Sequence, residues 1–331
     1  MDQNPGSRLT VKRQDLLRRF TETPLTTDFQ LLGRTLRLET NSRDLLELVL
    51  KFFACYQHGS RTESEFSWRL VSEADSGLSP GEIQVSAFSD SGHHYVNFGH
   101  RSFIAVDLDK REAIGFLADR FLEGNPRFRH RPPLDILFCM TAPSLGATVL
   151  SGACVGLADQ GVLIFGLPNS GKTTTGYLAA KLGLNFHGDQ VIFLDTSSGD
   201  LRAWGDPFPA VFRPEGARFL PELKEIGHAS NYGDLSFLYV DKGSHQTRYA
   251  RPISPVCSVF LDRNGPAKPR LVRVSDDRPG RLHACRLFCE DPRFKGQTNS
   301  ALSALAQMPM YEFSYENNPQ FAADFIKELL P

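Results

Sequence analysis

The sequence lacks an imbalance of charge. Lysine and arginine together number 37 and aspartate and glutamate 38, which gives a formal net charge of -1. Proteins that bind nucleic acid or an acidic partner over a large surface carry a basic excess, and solvating tails carry long runs of one sign. The chain has neither, so we expect no nucleic-acid partner. Its hydrophobic fraction of 41% is ordinary for a protein that buries a core.

The sequence also lacks paired cysteines. Its six cysteines form no Cys-x-x-Cys pair, and the shortest spacing separates Cys285 from Cys289. Structural zinc sites use closely spaced pairs of cysteine and histidine ligands. The pattern therefore predicts buried free thiols rather than a zinc site.

Secretion and membrane signals are missing as well. The start of the chain has no basic residues followed by an apolar stretch, so it does not resemble a signal peptide. Residues 136–158 form a run of 23 uncharged residues, but Pro143, Gly146, Gly152 and several hydroxyl side chains dilute it. We expect a strand-rich segment there and a cytoplasmic protein with no membrane insertion.

Length and composition indicate two domains, because 331 residues exceed the usual roughly 100–200 per domain. The basic, proline-rich stretch 127–133 is typical of a linker. We therefore predict an N-terminal α+β domain over 1–133 and a nucleotide-binding domain over 134–331. The first is predicted to hold helices near 45–53 and 114–121, with strands at 65–69, 83–88 and 95–106 between them. Nothing in its sequence assigns it a role.

The second half alternates strands and helices. Residues 148–155 and 161–165 are predicted strands joined by a hairpin-like turn, and a helix follows over 172–182. Strands near 185–187, 191–194 and 256–261 come next, and Pro319 begins a closing amphipathic helix.

One motif carries chemistry: Gly166-Leu-Pro-Asn-Ser-Gly-Lys172-Thr173, between a predicted strand and a predicted helix. Its glycines let backbone N–H groups converge on phosphate oxygens, and the positive end of the helix points to the same place. Lys172 is predicted to neutralise the terminal phosphates and Thr173 to bind Mg²⁺. ATP or GTP is thus predicted to contact each residue of the loop, namely Gly166, Leu167, Pro168, Asn169, Ser170, Gly171, Lys172, Thr173 and Thr174.

Two carboxylates compete to complete this site, Asp189 and Asp195. A helix over 172–182 moves about 15 Å away from the loop at 1.5 Å per residue. A right-handed crossover and four or five extended residues return the chain to the loop near Asp189. Asp195 would lie about 20 Å beyond if the chain stays extended. We therefore predict Asp189 as the catalytic carboxylate and second Mg²⁺ ligand.

Further catalytic candidates are a histidine and three arginines. His187 precedes Asp189 by two residues and would share its face of a continuous strand, where it could assist proton transfer. An arginine commonly contacts the γ-phosphate in phosphoryl transfer. Arg213, Arg248 and Arg251 are the candidates, and Arg251 is chosen for the predicted site.

The runs 161–175 and 186–189 resemble the HPr kinase/phosphorylase and PEP carboxykinase-like class of P-loop proteins. In that class a paired Asp-Asp or Asp-Glu follows the loop closely, and Asp189 matches its first member. The resemblance implies an α/β P-loop domain and phosphorylation of a serine hydroxyl, as in HPr kinases and the kinases of lasso-peptide precursors. Gln190 stands at the second acidic position, and Ser151 stands where the HPr kinases have a histidine. These departures argue against phosphorylase activity.

The leading hypothesis is therefore an ATP-dependent kinase acting on a hydroxyl of a protein, peptide or small molecule. A second is a nucleotide-binding regulatory or scaffold protein with weak or no turnover, which Gln190 and Ser151 favour. A third is an NTPase coupled to motion, which would need Asp195 as its metal-site carboxylate. The sequence leaves open the acceptor, the choice between ATP and GTP, and assembly into a homo-oligomer.

Overall fold

The computed structural model describes a mixed α/β chain with several sheets. The described residues are 21–56, 63–74, 86–90, 92–98, 102–119, 133–232, 235–240, 251–266, 268–274, 278–286, 291–316 and 318–330. The strands are β1 Leu25–Leu31, β2 Arg34–Thr40, β3 Phe66–Glu73, β4 Ser86–Asp90, β5 His93–Asn97, β6 Phe103–Asp107, β7 Glu112–Ala118, β8 Ala147–Ser151, β9 Ala153–Leu157, β10 Gln160–Gly166, β11 Asn185–Gly188, β12 Val191–Asp195, β13 Arg202–Gly205, β14 Ala210–Phe212, β15 His228–Tyr232, β16 Leu235–Val240, β17 Ser254–Asp262, β18 Arg270–Arg273 and β19 Met310–Ser314. The α-helices are α1 Arg43–Phe53, α2 Pro133–Thr141, α3 Lys172–Lys181, α4 Pro214–Ala217, α5 Leu223–Ile226, α6 Arg278–His283, α7 Lys295–Gln307 and α8 Gln320–Glu328.

The first sheet is built from the N-terminal residues in the order β1-β2-β3-β7-β6-β5-β4. Helix α1 packs against β1 and β2 and begins where Ser42 accepts a hydrogen bond from the N–H of Leu45 at 3.3 Å. This confirms the predicted helix near 45–53 and shows Ser42 as its N-cap. The predicted helix near 114–121 is wrong, because residues 112–118 form β7 between β3 and β6. A strand buried on both faces is apolar at nearly every position, so helical spacing appears in it by chance.

The second sheet has the order β11-β9-β10-β17-β19-β18 and contains the strand that precedes the glycine-rich loop. β10 runs parallel to β17, and β17 runs parallel to β19. The predicted hairpin is present as the antiparallel pair β9 and β10, but the predicted strand 148–155 is divided between β8 and β9, and β8 pairs with β12 in another sheet. Helix α3 packs on this sheet together with α8, the predicted closing helix. Two three-stranded sheets, β13-β12-β8 and β14-β16-β15, flank it.

The uncharged run 136–158 is divided among α2, a 3₁₀ turn, β8 and β9. The expectation of a strand-rich segment holds for 147–157, whereas residues 136–145 are helical and that part of the expectation is wrong. Among the described helices, none combines the length and hydrophobicity that crossing a membrane requires.

The first hydrophobic core crosses the predicted domain boundary. It joins Phe29, Phe53 and Trp68 of the N-terminal half to Phe138 on α2 and Phe208 beyond β13. The ring of Phe53 lies 5.7 Å from that of Phe138 and 6.1 Å from that of Phe208 between centroids. The predicted linker 127–133 lies outside the described residues except for Pro133, so the division into two domains stays a prediction. The shared core indicates that the two halves stabilise each other.

We predict that Phe53→Ala lowers the free energy of unfolding by about 3–5 kcal/mol, because it leaves a cavity in a fully buried aromatic cluster. The measurement is urea unfolding followed by tryptophan fluorescence, since Trp68 and Trp204 belong to the same core. Phe321→Ala, at a half-exposed ring on α8, is the control and should change stability by less than about 1 kcal/mol. Equal effects of the two substitutions would contradict the shared core.

Candidate nucleotide-binding site

The glycine-rich loop joins the end of β10 at Gly166 to the first residue of α3, Lys172. Two glycines are required by its geometry. Gly166 has φ +147°, and a Cβ there would lie 2.4 Å from Ser170 Oγ; Gly171 has φ +92°, and a Cβ there would lie 2.5 Å from the hydroxyl of Tyr315. These conformations and contacts exclude larger residues. The loop therefore has the tight strand-to-helix form that suits anion binding.

Tyr315, which follows β19, fixes the loop across the intervening strand β17. Its hydroxyl donates to the carbonyl of Ser170 at 2.8 Å, and its backbone N–H donates to the carbonyl of Asp262 at 2.9 Å. Burial raises the pKa of Tyr315 above its ordinary value, which keeps the phenol protonated as a donor. This buried contact ties the loop to the ends of β17 and β19, and the motif alone gave no indication of it.

Lys172 folds back over the loop. Its Nζ donates to the carbonyl of Gly166 at 2.8 Å and to that of Leu167 at 3.0 Å. Burial lowers the pKa of Lys172, and the Asp189 carboxylate opposes part of that shift. The ammonium group therefore bonds to the loop carbonyls and is attracted by the Asp189 carboxylate. Phosphate oxygens could replace the carbonyl oxygens as its hydrogen-bond acceptors.

Asp189 follows β11 and is completely buried. Its Oδ2 accepts the N–H of Val211 at 2.9 Å, and its own N–H donates to Oδ2 of Asp206 at 2.9 Å. Asp206 is also buried, and its Oδ1 accepts the N–H of Phe208 at 3.1 Å. Burying two carboxylates is costly unless hydrogen bonds compensate. Asp206 thus holds the backbone that carries Asp189, a role that its place in an Asp-Pro loop does not signal.

Asp189 and the loop line one cleft of about 750 Å³. Four basic side chains, Lys172, Arg213, Arg218 and Arg263, line it with the two carboxylates Asp189 and Glu215. A concave surface with a basic excess attracts anions. Arg213 was a candidate from the sequence, whereas Arg218 and Arg263 were missed. Arg263 could have been found, because it follows β17, and parallel strands bring their carboxyl ends to one edge.

Three other sequence candidates lie elsewhere or outside the described residues. Arg251 precedes β17 at the end where Ser254 pairs with Gln160, and Gly166 pairs with Leu261 at the other end. Seven strand residues separate these two ends by roughly 23 Å, so the structure does not bring Arg251 to the cleft. Arg248 is outside the described residues.

His187 is also absent from the residues that line the cleft. It lies at a bulge in the pairing of β11 with β9, which breaks the alternation that would align it with Asp189. Its ring packs over Gly156, where an added Cβ would lie 3.1 Å from Nε2.

Asp195 lies at the end of β12 and accepts the N–H of Ser197 at 2.7 Å. It thus closes an exposed turn and does not line the cleft. β11 runs parallel to β10, with β9 between them, so β11 ends near the loop. Asp189, and not Asp195, therefore lies beside the loop.

Gln190 lines the cleft where the resemblance implies a second carboxylate. Ser151 lines both this cleft and an adjoining one of about 940 Å³, which Gly166 and Leu167 also line. Neither side chain can act as a base or carry a negative charge. The described residues contain no cluster of three or more histidine, cysteine or acidic side chains that could hold a metal ion. Thr173 and Asp189 are oxygen donors in one cleft, and this pair fits Mg²⁺, which proteins hold through one or two side chains plus phosphates.

No family model and no curated protein matches this sequence. Among solved structures, the HPr(Ser) kinase/phosphatase from Coxiella burnetii matches at 11% identity with a TM-score of 0.28. The match covers 54% of this chain and 94% of that chain. A match at this score says nothing about function. The functional proposal is based on the geometry of the loop and the cleft.

We predict that Asp206→Asn lowers the free energy of unfolding by about 1–3 kcal/mol. The amide keeps one acceptor oxygen but turns an NH₂ group toward a backbone N–H that needs an acceptor. Urea unfolding measures the change. Asp195→Asn is the matched control, because the same substitution at an exposed turn should cost less than about 1 kcal/mol. If both variants lose the same stability, Asp206 does not have this role.

Proposed function

We propose that this protein binds a nucleoside triphosphate at 166–174 and transfers its γ-phosphate to a hydroxyl group. The observation that carries the proposal is the meeting of Lys172 and Asp189, one at the glycine-rich loop and one after β11, in a single basic cleft. A phosphate-binding loop alone supports only binding. A buried carboxylate beside the loop lysine adds a group that can orient or deprotonate an acceptor.

Different residues of the cleft would bind the phosphates, bind Mg²⁺ and stabilise the transferred group. Backbone N–H groups of the loop and the ammonium of Lys172 would hold the phosphate oxygens. Thr173 and Asp189 would hold Mg²⁺, which when bound shields the negative charge of the phosphates. Arg213, Arg218 and Arg263 line the same cleft and would stabilise the charge of the transferred group.

In the transfer step, the acceptor oxygen forms a bond to the γ-phosphorus while the bond to the bridging oxygen breaks. The acceptor proton moves to Asp189, and the nucleoside diphosphate leaves with the electron pair of the broken bond. Asp189 needs proximity for this step more than an altered pKa. The proposal includes neither His187 nor Arg251, because the structure brings neither to the cleft.

A second candidate function is a nucleotide-binding regulatory protein with little or no turnover. Two observations favour it: the neutral Gln190 in the cleft, and the complete burial of Asp189, whose Oδ2 is already bonded to Val211. Incubation with γ-labelled ATP separates the candidates. Label on an acceptor supports the kinase, free labelled phosphate supports an NTPase, and retained ATP supports the regulatory protein.

Nucleotide binding is tested with Lys172→Ala. We expect the affinity for ATP with Mg²⁺, measured by titration calorimetry, to fall at least about tenfold, because a charge-assisted contact to phosphate is lost. Lys181→Ala is the matched control: this lysine ends the same helix and pairs with Glu222 at 2.6 Å, away from the loop. Equal affinity of Lys172→Ala and the unaltered protein would rule out the proposed binding site.

Phosphoryl transfer is tested with Asp189→Asn, which keeps the size of the side chain and removes its charge. We expect transfer to the acceptor identified by labelling to fall at least about 10²-fold, as for a lost acid–base group. Nucleotide affinity should change much less. Asp195→Asn should transfer phosphate at nearly the normal rate. A kinase in which Asp195→Asn is inactive and Asp189→Asn active would refute the assignment.

A further inference from the structure

A separate cavity of about 120 Å³ lies where β5, α2, β8 and the start of α7 meet. Its wall is mainly apolar and includes Val96, Leu108, Cys139, Met140, Val149 and Phe294. A cavity of about 150 Å³ can hold a benzene molecule, so this volume suits a ligand of similar or slightly smaller size. A mostly apolar pocket with a few polar groups is the usual form of a small-molecule site.

Two side chains of the wall each have a buried polar atom without a hydrogen bond. The hydroxyl of Thr148 and Nε2 of Gln297 are inaccessible to solvent and have no partner within the described part of the chain. Thr148 itself is only 4% exposed. Buried polar atoms in proteins nearly always have a partner, so two such atoms beside one cavity indicate a molecule that supplies acceptor oxygens.

Two other polar groups of the wall, His94 and Asp291, already interact with the protein. His94 Nδ1 lies 2.8 Å from Ser89 Oγ, and Asp291 forms an ion pair with Arg293 at 2.6 Å. Lys295 also lines the cavity and has no acidic partner in the described part of the chain. The charge that the wall leaves uncompensated is therefore positive, which favours a ligand with one negative charge.

We propose that this cavity binds a small apolar monocarboxylate. Its hydrocarbon part would fill the apolar wall, and its carboxylate would accept hydrogen bonds from Thr148 and Gln297, with Lys295 compensating the charge. The site is separate from the phosphate-binding cleft. Arg286 lines both this cavity and the cleft of about 940 Å³ that adjoins the phosphate-binding cleft, so the cavity and the adjoining cleft are neighbours.

The test is binding of isovalerate to the full chain, measured by titration calorimetry and saturation-transfer NMR. Isovaleramide is the neutral probe of equal size, and acetate is the charged probe that cannot fill the apolar wall. We expect saturable binding of one isovalerate per chain. Isovaleramide and acetate should each bind at least about tenfold more weakly, because one lacks the charge and the other the buried hydrocarbon.

Matched variants locate the site. Gln297→Glu places a carboxylate where the proposal needs a donor and should weaken isovalerate binding at least about tenfold. Gln307→Glu, the same change at the exposed end of α7, should leave the affinity unchanged. Thr148→Val should weaken binding and Thr148→Ser should preserve it, and thermal unfolding confirms that each variant is folded.

Three results would overturn the proposal. The first is the absence of saturable isovalerate binding, which leaves water as the partner of Thr148 and Gln297. The second is equal affinity for isovaleramide and isovalerate. The third is normal affinity in folded Gln297→Glu, which would place the bound molecule elsewhere. None of these results depends on ATP, so the outcome is independent of the proposed kinase function.

Discussion

The buried carboxylate of Asp206 is the contact on which the candidate site depends. It accepts hydrogen bonds from the N–H groups of Asp189 and Phe208. These bonds connect the end of β11, where Asp189 lies, to the segment that follows β13. Phe208 belongs to the core formed with α1 and the first sheet, and the hydroxyl of Tyr56 donates to the carbonyl of Gly205 next to Asp206. The N-terminal half thereby supports the position of Asp189. This is a structural role that its sequence motifs did not indicate.

The basic cleft follows from the parallel arrangement of the second sheet. β10, β17 and β19 all end at one edge, where the loop, Arg263 and Tyr315 meet. Parallel strands bring residues that are distant in sequence to a common edge, and ligands commonly bind there. The loop supplies backbone donors, the ends of the strands supply a fixing hydroxyl and a cation, and Asp189 supplies the negative charge that faces Lys172.

The parts of this site that the sequence predicted are local. The loop and the helix after it depend on neighbouring residues, so the positions of glycine and lysine were sufficient. The choice of Asp189 over Asp195 used the lengths of one helix and one strand, together with the resemblance to the kinase class. The prediction for His187 required regular alternation, and the bulge in β11 removes it. Arg251 lies before β17, at the end away from the loop, and nothing local in the sequence showed which end that is.

The interactions that no pattern predicted are long-range. Tyr315 reaches Ser170 across 145 residues of sequence, and Tyr56 reaches Gly205 across 149. β7 was mistaken for a helix because burial on both faces hides the alternation of a strand. These contacts depend on the order of strands in two sheets, which a single sequence does not specify.

The most direct test of the account is a crystal structure with Mg²⁺ and a non-hydrolysable ATP analogue. We expect the phosphates to lie against 166–174, with the metal ion at Thr173 and with Asp189 within about 5 Å of the Thr173 hydroxyl, the range over which two side chains share a bound Mg²⁺. Asp206 should still hold the backbone of Asp189. A structure in which the nucleotide occupies another surface, or in which Asp195 approaches Thr173 while Asp189 points away, would contradict the central claim.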